Sequence, residues 1–327
     1  MDQKRDLVSI NDLRREDVLE ILRLSRDLKE RLVRGEQPRL LENRVLAMIF
    51  EKPSLRTRVT FEVGIFQLGG CAISMTQSEI GIGARESCHD VAKNLERWVD
   101  LIAVRTFGQE IVEQLAAHAR IPVINALTDG EHPCQALADL FTLSERFAEV
   151  EGLTLAYIGD GNNICCSLLL LCPLLGVNIT VAGPPEYAPP RQVVSRAQRN
   201  ATQTGARVRI LEDPVQAVHE ADAIYTDVWA SMGQENEREQ RCRVFQPYQV
   251  NTELLRHAPR GVKIMHDLPA RRGEEITDEV MDSENSVVFD QAENRLHVQK
   301  GIMVFLARQP ALAASPRTRP VRAGLSE

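Results

Sequence analysis

The chain carries Val45-Leu46-Ala47-Met48-Ile49-Phe50, then Ser54-Leu55-Arg56-Thr57-Arg58, and directly after it the helix-like stretch Val59–Leu68. An apolar run of this length is typical of a buried strand. At a strand-to-helix junction, unpaired backbone N–H groups and the positive end of the helix dipole favour an anion. Arginine suits such a place because its planar fork binds phosphate or carboxylate oxygens in pairs. The stretch alone predicts a phosphate cradle about as well as a helix start with two solvated arginines.

Apolar runs alternate with helical patterns along the chain. An amphipathic helix opens it, and another is predicted from about Ser87 to Val99. This alternation indicates two tandem parallel-sheet α/β domains. The predicted strands are Val45–Phe50, Cys71–Met75, Leu101–Val104 and Val123–Asn125, and then Leu153–Ile158, Val177–Ala182, Val208–Leu211, Ala223–Thr226, Val262–Met265 and Val287–Phe289.

The length of 327 residues also favours two domains. We predict a first domain at 1–149 and a second at 150–302, because the strand pattern restarts after the long helical stretch from Cys134. A C-terminal helix at about 303–314 is expected to return to the first domain. The segment 315–327 is rich in Ala, Pro and Arg and is predicted to be a disordered tail.

Composition excludes several function classes. The net charge of −7 and the pI near 5.6 argue against nucleic acid or an acidic membrane as a partner. The start of the chain is mostly charged and no run is long enough to cross a bilayer, so we expect a cytoplasmic protein. Seven cysteines without C-x-x-C spacing and seven scattered histidines predict no metal site.

Polar clusters follow several predicted strands, where parallel sheets bind their ligands. Each one alone could be a helix cap, a surface ion pair or a core histidine. A dinucleotide loop is only weakly indicated by Gly159-Asp160-Gly161, because Ile164 stands where a third glycine belongs. The clusters are Arg105, Glu131–Gln135, Gly159–Asn163, Asp227–Gly233 and His266–Pro269.

Together these segments resemble the aspartate/ornithine carbamoyltransferase family, and within it the ornithine branch, over nearly the whole chain. The anchors are Ser54–Arg58 for the motif S-x-R-T-R, His132–Gln135 for H-P-x-Q, and Asp227–Gly233 for D-x-W-x-S-M-G. Phe289–Arg295 is similar to F-D-E-A-E-N-R, near the C-terminus in this family. Their order along the chain makes the resemblance specific.

The resemblance implies two groups of residues that bind carbamoyl phosphate. The phosphate would be held at the helix start by Ser54, Leu55, Arg56 and Thr57. A second group would surround the carbamoyl group and donate hydrogen bonds to its oxygen as an amine attacks. This group comprises Arg105, His132, Gln135 and Arg295. Catalysis then needs no metal, cofactor or covalent intermediate.

The resemblance also implies an L-ornithine site. Asp227 and Ser231 would bind the α-ammonium, and Asn163 and the Met232 backbone would bind the carboxylate. The reacting amine must be uncharged, so activity should rise with pH. It would lie near the turn that contains Asp267 and Leu268.

Two departures from the family are visible. The ornithine branch reads His-Cys-Leu-Pro where this chain has Asp267, which could accept the amine's proton or select a different amine. The loop Gly81–Ser87 lacks the glutamine that many relatives carry near Gly81. In the family this loop reaches a neighbouring subunit's active site, so the resemblance implies a homotrimer with inter-subunit sites and suggests Arg85 for the contact.

Carbamoyl transfer from carbamoyl phosphate to L-ornithine, as in arginine biosynthesis, is the leading hypothesis. Three alternatives stay open. One is transfer to another amine or diamino acid, motivated by Asp267, and another is a nonenzymatic ligand-binding relative that keeps the fold. A nicotinamide-dependent oxidoreductase would rest on Gly159–Gly161 alone.

Overall fold

The structure, a computed structural model, describes residues 4–83, 85–231 and 233–308. Met232, the tail 315–327 and the end of the predicted C-terminal helix, 309–314, lie outside the described residues. The chain forms two compact units. The first contains residues 4–8, 23–128 and 299–308, and the second contains 9–22 and 129–298, apart from positions 84 and 232, which are not described. The domain boundary between 149 and 150 stays a prediction.

Nine strands and thirteen α-helices are formed by the described residues. The strands are Val45–Phe50 (β1), Cys71–Thr76 (β2), Leu101–Arg105 (β3), Val123–Leu127 (β4), Thr154–Ile158 (β5), Asn178–Ala182 (β6), Val208–Leu211 (β7), Ala223–Thr226 (β8) and Lys263–His266 (β9). The helices are Arg15–Val33 (α1), Arg56–Gln67 (α2), Gln77–Ile80 (α3), Cys88–Trp98 (α4), Gln109–His118 (α5), Pro133–Arg146 (α6), Asn163–Leu174 (α7), Arg191–Ala201 (α8), Pro214–Val218 (α9), Arg238–Phe245 (α10), Thr252–Leu255 (α11), Asp278–Met281 (α12) and Val288–Ala307 (α13).

The first unit is built on a four-stranded parallel sheet in the order β2-β1-β3-β4. The chain leaves β1 for β2 on one side and later crosses back to β3 on the other. The carboxyl ends of β1 and β3 therefore flank the switch point, where open α/β sheets bind ligands. The register aligns Phe50 with Arg105, so Arg105 lies beside the end of β1.

The second unit has a five-stranded parallel sheet in the order β7-β6-β5-β8-β9. Its switch point lies between β5 and β8, which pair in parallel with Tyr157 opposite Tyr225. Thr226 pairs with His266 on β9. The ends of β5, β8 and β9, each followed by predicted site residues, thus lie at one edge of this sheet. They do so because the three strands are parallel neighbours.

The two parallel-sheet domains predicted from the sequence are confirmed, as is the return of the C-terminal helix to the first unit. Residues of α13 from Gln299 onward group with that unit, where Lys300 donates a hydrogen bond to Gln67 over 2.8 Å. Among the described residues, no helix combines the length and apolar character needed to cross a membrane.

The strand predicted at Val287–Phe289 is wrong. Val287 precedes α13, and Val288 and Phe289 form its first turn. A short apolar run does not distinguish a strand from a buried helix start, and here Val288 is buried while Phe289 is exposed. The sequence does not show which residues pack against this run, and those contacts decide between a strand and a helix.

Candidate functional site

The start of α2 lies at the switch point of the first unit. Leu55 is the N-cap, has helical φ and ψ of −77° and −63°, and makes no side-chain cap hydrogen bond. The first turn contains no acidic residue. A helix start without a side-chain cap from Leu55 and without an acidic residue in its first turn is suited to an anion.

The residues of the S-x-R-T-R motif do not share one environment. Thr57 is buried, Ser54 and Arg56 are half-buried, and Leu55 is exposed. Arg58 lies on the surface and pairs with Glu62 over 3.0 Å, one helical turn away. The second arginine is thus a surface ion pair, and only Arg56 remains as the guanidinium group of the predicted cradle.

Arg105 ends β3 and is buried. Its backbone oxygen accepts the N–H of Glu51 over 2.8 Å, which ties the end of β3 to the loop after β1. The Glu51 carboxylate in turn accepts the hydroxyl of Thr106 and the N–H of Phe107. Arg105 is therefore held beside the loop that leads to Ser54.

Lys52 is a buried cation in the same loop that the sequence analysis did not single out. Its Nζ lies 4.1 Å from the centroid of the Phe107 ring. A cation over an aromatic face is attracted by the ring quadrupole. The only local signal for this residue was a lysine just after an apolar run, which surface lysines share.

In the second unit, His132, Gln135 and Arg295 are all buried. The N–H of His132 donates to Oγ of Ser167 over 2.8 Å, and this fixes the start of α6. The Arg295 guanidinium donates to Oε1 of Gln135. The structure therefore joins H-P-x-Q to the C-terminal motif, which lies more than a hundred residues away in the sequence.

Asp227 follows β8 and is held by two donors. Oδ1 accepts the N–H of Val228 and Oδ2 accepts Nδ2 of Asn162, both over 2.7 Å. Asn162 belongs to the cluster Gly159–Asn163 named in the sequence analysis, but a ligand role was predicted only for Asn163. Asn163 itself is half-buried in the first turn of α7.

The loop after Asp227 is tied to the loop after β5 by Arg241. Its guanidinium donates to Oδ2 of Asp160 and to the backbone oxygen of Trp229, both over 3.0 Å. Burial raises the pKa of Asp160 to about 6, and Arg241 opposes that rise. Further along the loop, Ser231 is half-buried and its N–H donates to Gln234.

A turn with Asp267 and Leu268 follows β9. Leu268 has a positive φ of 60°, and its N–H donates to Nδ1 of His266 over 2.9 Å. Nδ1 must therefore be the acceptor, which leaves the ring proton on Nε2, 3.0 Å from Glu275 Oε1.

Asp227, His266 and Asp267 have potential metal-ligating atoms within 4.8 Å of one another. Both ring nitrogens of His266 are already engaged, so its ring has no lone pair left for a metal. The cluster then reduces to two carboxylates, which suit an ammonium group of a substrate.

The glycines that follow β5 and β6 have a packing cause. A Cβ on Gly161 would lie 2.3 Å from the backbone nitrogen of Pro189, and one on Gly183 would lie 2.2 Å from the Gly159 oxygen. Close backbone approach thus accounts for Gly161 and Gly183 without a dinucleotide.

The predicted site residues fall into both units. Ser54–Thr57 and Arg105 belong to the first, and the others that are described belong to the second. The structure brings together Gln135 with Arg295, and Asp227 with Asp267.

Comparisons with known proteins identify the family. The model of the carbamoyl-P binding domain of aspartate/ornithine carbamoyltransferase matches residues 5–145, and that of the Asp/Orn binding domain matches residues 151–306. The chain therefore belongs to the aspartate/ornithine carbamoyltransferase family.

Similar individual proteins are ornithine carbamoyltransferases. One from Thermococcus kodakarensis is 49% identical over 302 residues, which cover 92% of this chain and 96% of that protein. One from Pyrococcus furiosus, described as anabolic, is 47% identical over 92% of this chain and 96% of its own length. A solved ornithine carbamoyltransferase structure from that organism superposes with a TM-score of 0.90 at 47% identity, covering 92% of this chain and 96% of that one.

Proposed function

We propose that this protein transfers the carbamoyl group of carbamoyl phosphate to the δ-amine of L-ornithine, giving L-citrulline and phosphate, as in arginine biosynthesis. The observation that carries the proposal is the buried Asp227, held by Asn162 beside Asp267. A fixed anionic site at a sheet switch point suits an amino acid with two ammonium groups. The names of the similar proteins support the same reaction.

Carbamoyl phosphate would bind through the first unit's strand ends. Ser54, Leu55, Arg56 and Thr57 surround the helix start, whose N–H groups and dipole favour the phosphate. Arg105 adds a buried positive charge at the end of β3. These groups would also stabilise the negative charge that phosphate gains as it leaves.

His132, Gln135 and Arg295 would bind the carbamoyl group together with Arg105. All are buried, and a low dielectric strengthens their interaction with an oxygen that gains charge as the amine attacks. The new N–C bond forms as the C–O bond to phosphate breaks, and phosphate leaves with the electron pair. Oriented donors of this kind would stabilise the developing charge, so the proposed reaction includes no cofactor.

L-Ornithine would bind through the second unit. Asp227 and Ser231 would take the α-ammonium and Asn163 the carboxylate, with Met232, outside the described residues, beside it. The δ-amine would then lie at the turn of Asp267 and Leu268. The carboxylate of Asp267 would accept the proton that the amine loses.

A second candidate function is favoured by Asp267 itself. A carboxylate at this turn stabilises a charged amine and could select an acceptor other than ornithine. Putrescine fits less well, because it lacks the α-carboxylate that Asn163 and the Met232 backbone would bind.

The test is citrulline formation by the purified protein with carbamoyl phosphate, beside putrescine, lysine, N-acetylornithine and aspartate. We expect efficient turnover with ornithine and none with aspartate. Phosphate release that depends on another amine would show that this amine, and not ornithine, is the acceptor. Absence of product with every amine would favour the nonenzymatic, ligand-binding alternative.

We also propose that the protein works as a homotrimer with inter-subunit active sites in the cytoplasm. Leu55, the N-cap of α2, and Phe66, near the end of α2, are 74% and 72% exposed, and Ile73 on the neighbouring edge strand β2 is also exposed. An apolar surface around an edge strand suits a second copy of the chain. The seven free cysteines suit a reducing compartment.

Phe66→Glu tests the assembly. We expect wild-type protein to sediment as a trimer and the variant as a smaller species.

Arg85, whose side chain is 70% exposed, would reach the neighbouring site. If so, a mixture of Arg85→Ala subunits with subunits inactivated by Arg56→Ala should recover activity. A wild-type monomer with full activity would contradict both statements.

A further inference from the structure

Asp139 is a fully buried carboxylate on α6, one turn after Gln135. Its Oδ1 accepts Nε2 of Gln135 over 2.8 Å and Nε2 of Gln291 over 2.7 Å. Burying a carboxylate is costly, and two amide donors compensate only partly. No motif in the sequence analysis included Asp139.

The contacts of the Gln135 amide allow one orientation. Arg295 can only donate, and it donates to Oε1. An ionised Asp139 can only accept, and it accepts from Nε2. The amide oxygen and nitrogen of a glutamine are otherwise similar in shape, so these two partners decide which way the group faces.

Gln291 extends the same network toward the turn after β9. Its Oε1 accepts the N–H of His266 over 3.0 Å, and its Nε2 also lies 3.1 Å from the Tyr225 hydroxyl. Asp139 therefore connects Gln135 with the residue that precedes Asp267. Both connections lie within the second unit.

We propose that Asp139 is a positioning residue for carbamoyl transfer, which fixes the orientation of the Gln135 amide so that one N–H and one oxygen lone pair remain directed to the carbamoyl group. The inference rests on the proposed function. Asp139 does not touch substrate in this scheme and acts only through Gln135. The ionised form holds the amide more firmly, because a carboxylate is the stronger acceptor for Nε2, whereas a protonated carboxyl leaves Arg295 as the main group that fixes the amide.

The charge state of Asp139 is sensitive to pH near neutrality. Burial raises the pKa of Asp139 to about 7, while Gln135, Gln291, Arg295 and the Tyr225 hydroxyl lower it. Burial raises the pKa of the other titratable neighbour, the Cys172 thiol, so this group stays neutral. The orientation of Gln135 should therefore loosen as the pH falls below about 7.

The experiment measures kcat/KM for carbamoyl phosphate from pH 5.5 to 8.5 in wild type, Asp139→Asn and Tyr225→Phe. We expect an acid limb near pH 7 in wild type. Asp139→Asn should lower kcat/KM at pH 8 by about tenfold, the effect of roughly 1.4 kcal/mol, and leave only the rise with pH that deprotonation of the ornithine amine causes. Tyr225→Phe removes a hydroxyl that stabilises the carboxylate, so its limb should move to higher pH.

Asp100→Asn is the matched control, because Asp100 is also buried and accepts hydrogen bonds from Arg44 and the N–H of Val45 in the first unit. It should lose stability but keep the wild-type pH profile. If Asp139→Asn does not fold, an unmoved limb in Tyr225→Phe overturns the proposal, as does a wild-type profile in a folded Asp139→Asn. Absence of any citrulline from wild type would instead overturn the proposed function.

Discussion

Asn162 and Asp227 are joined by a hydrogen bond of 2.7 Å, from Nδ2 of the amide to Oδ2 of the carboxylate. The Oδ1 atom of the same asparagine accepts the N–H groups of Ile164 and Cys165 at the start of α7, and the Tyr157 hydroxyl donates to it. One side chain thus caps a helix after β5 and holds a carboxylate after β8. Asp227, which is predicted to bind the α-ammonium, is thus positioned by the asparagine that caps α7.

Asn162→Ala should therefore weaken ornithine binding and stability together. Loss of the cap should lower the free energy of unfolding by about 1 kcal/mol. Loss of the bond to Asp227 should raise the KM for ornithine by about tenfold, which corresponds to ~1.4 kcal/mol. Steady-state kinetics and urea unfolding measure the two effects.

The matched control is Asn251→Ala, because Asn251 caps α11 through the N–H of Leu254. It should lower stability and leave the KM for ornithine unchanged. An unchanged KM in Asn162→Ala would show that Asp227 keeps its position without this bond.

Arg56 and Arg58 should differ sharply, although they belong to one motif. Arg56→Ala removes the guanidinium group at the helix start and should lower kcat/KM for carbamoyl phosphate by ~100-fold or more, about 2.8 kcal/mol. Arg58→Ala removes only an exposed pair with Glu62, so activity and stability should change little. Equal losses in the two variants would contradict the division of the motif seen in the structure.

Asp267 should act as the proton acceptor if the scheme above holds. Asp267→Asn should lower kcat with ornithine by about 100-fold at pH 7, the scale of general-base catalysis, and higher pH should restore part of it because more of the amine is neutral. Asp267→Cys should keep ornithine turnover, since it restores the residue typical of the ornithine branch.

The pH–rate profiles of these two variants distinguish the possible roles of Asp267. Full activity of Asp267→Asn at every pH would remove Asp267 from the reaction. A new preference for another amine in either variant would instead make Asp267 a determinant of specificity.

Lys300 should make stability depend on pH. Burial lowers the pKa of its ammonium to about 8, although Nζ donates to Gln67. Between pH 8 and the ordinary value of 10.5, the unfolded chain holds a proton that the folded chain lacks. The free energy of unfolding should therefore rise with pH across this window, and the penalty for burying the charge is fully present below it.

Lys300→Met should raise the free energy of unfolding at pH 7 by on the order of 2 kcal/mol and flatten the rise above pH 8. Lys93→Met is the control, since Lys93 is partly exposed beside Glu96. Chemical unfolding from pH 6 to 10 measures both. A slope that persists in Lys300→Met would assign the effect to another group.

The fold was largely predictable because each buried parallel strand is a short apolar run followed by a helical pattern. Val208–Leu211 and Ala223–Thr226 were predicted with the bounds that the structure has, and most other strands to within a residue or two. The failure at Val287–Phe289 came from an apolar run that suits either a strand or a helix start. Tertiary packing, not local pattern, made it the beginning of α13.

The sequence predicted candidate site residues where they follow strands and belong to motifs. Asp139 and Arg241 were missed, and Asn162 was given no role, because their roles depend on partners that are distant in sequence. Asn162 contacts Asp227, and Arg241 contacts Asp160. A capping asparagine, a buried acid and a helical arginine have many ordinary explanations when their partners are unknown.

By itself the sequence determined the two parallel-sheet domains, the family and the strand ends where polar residues gather, because hydrophobic periodicity and motif order are local. Only the tertiary structure decided the strand orders, and so the switch points beside Arg105 and Asp227. It also decided that Arg58 faces solvent, that the proton of His266 lies on Nε2 and that Asp139 orients Gln135. These outcomes depend on hydrogen bonds and burial between distant residues, which only the folded chain brings within reach of one another.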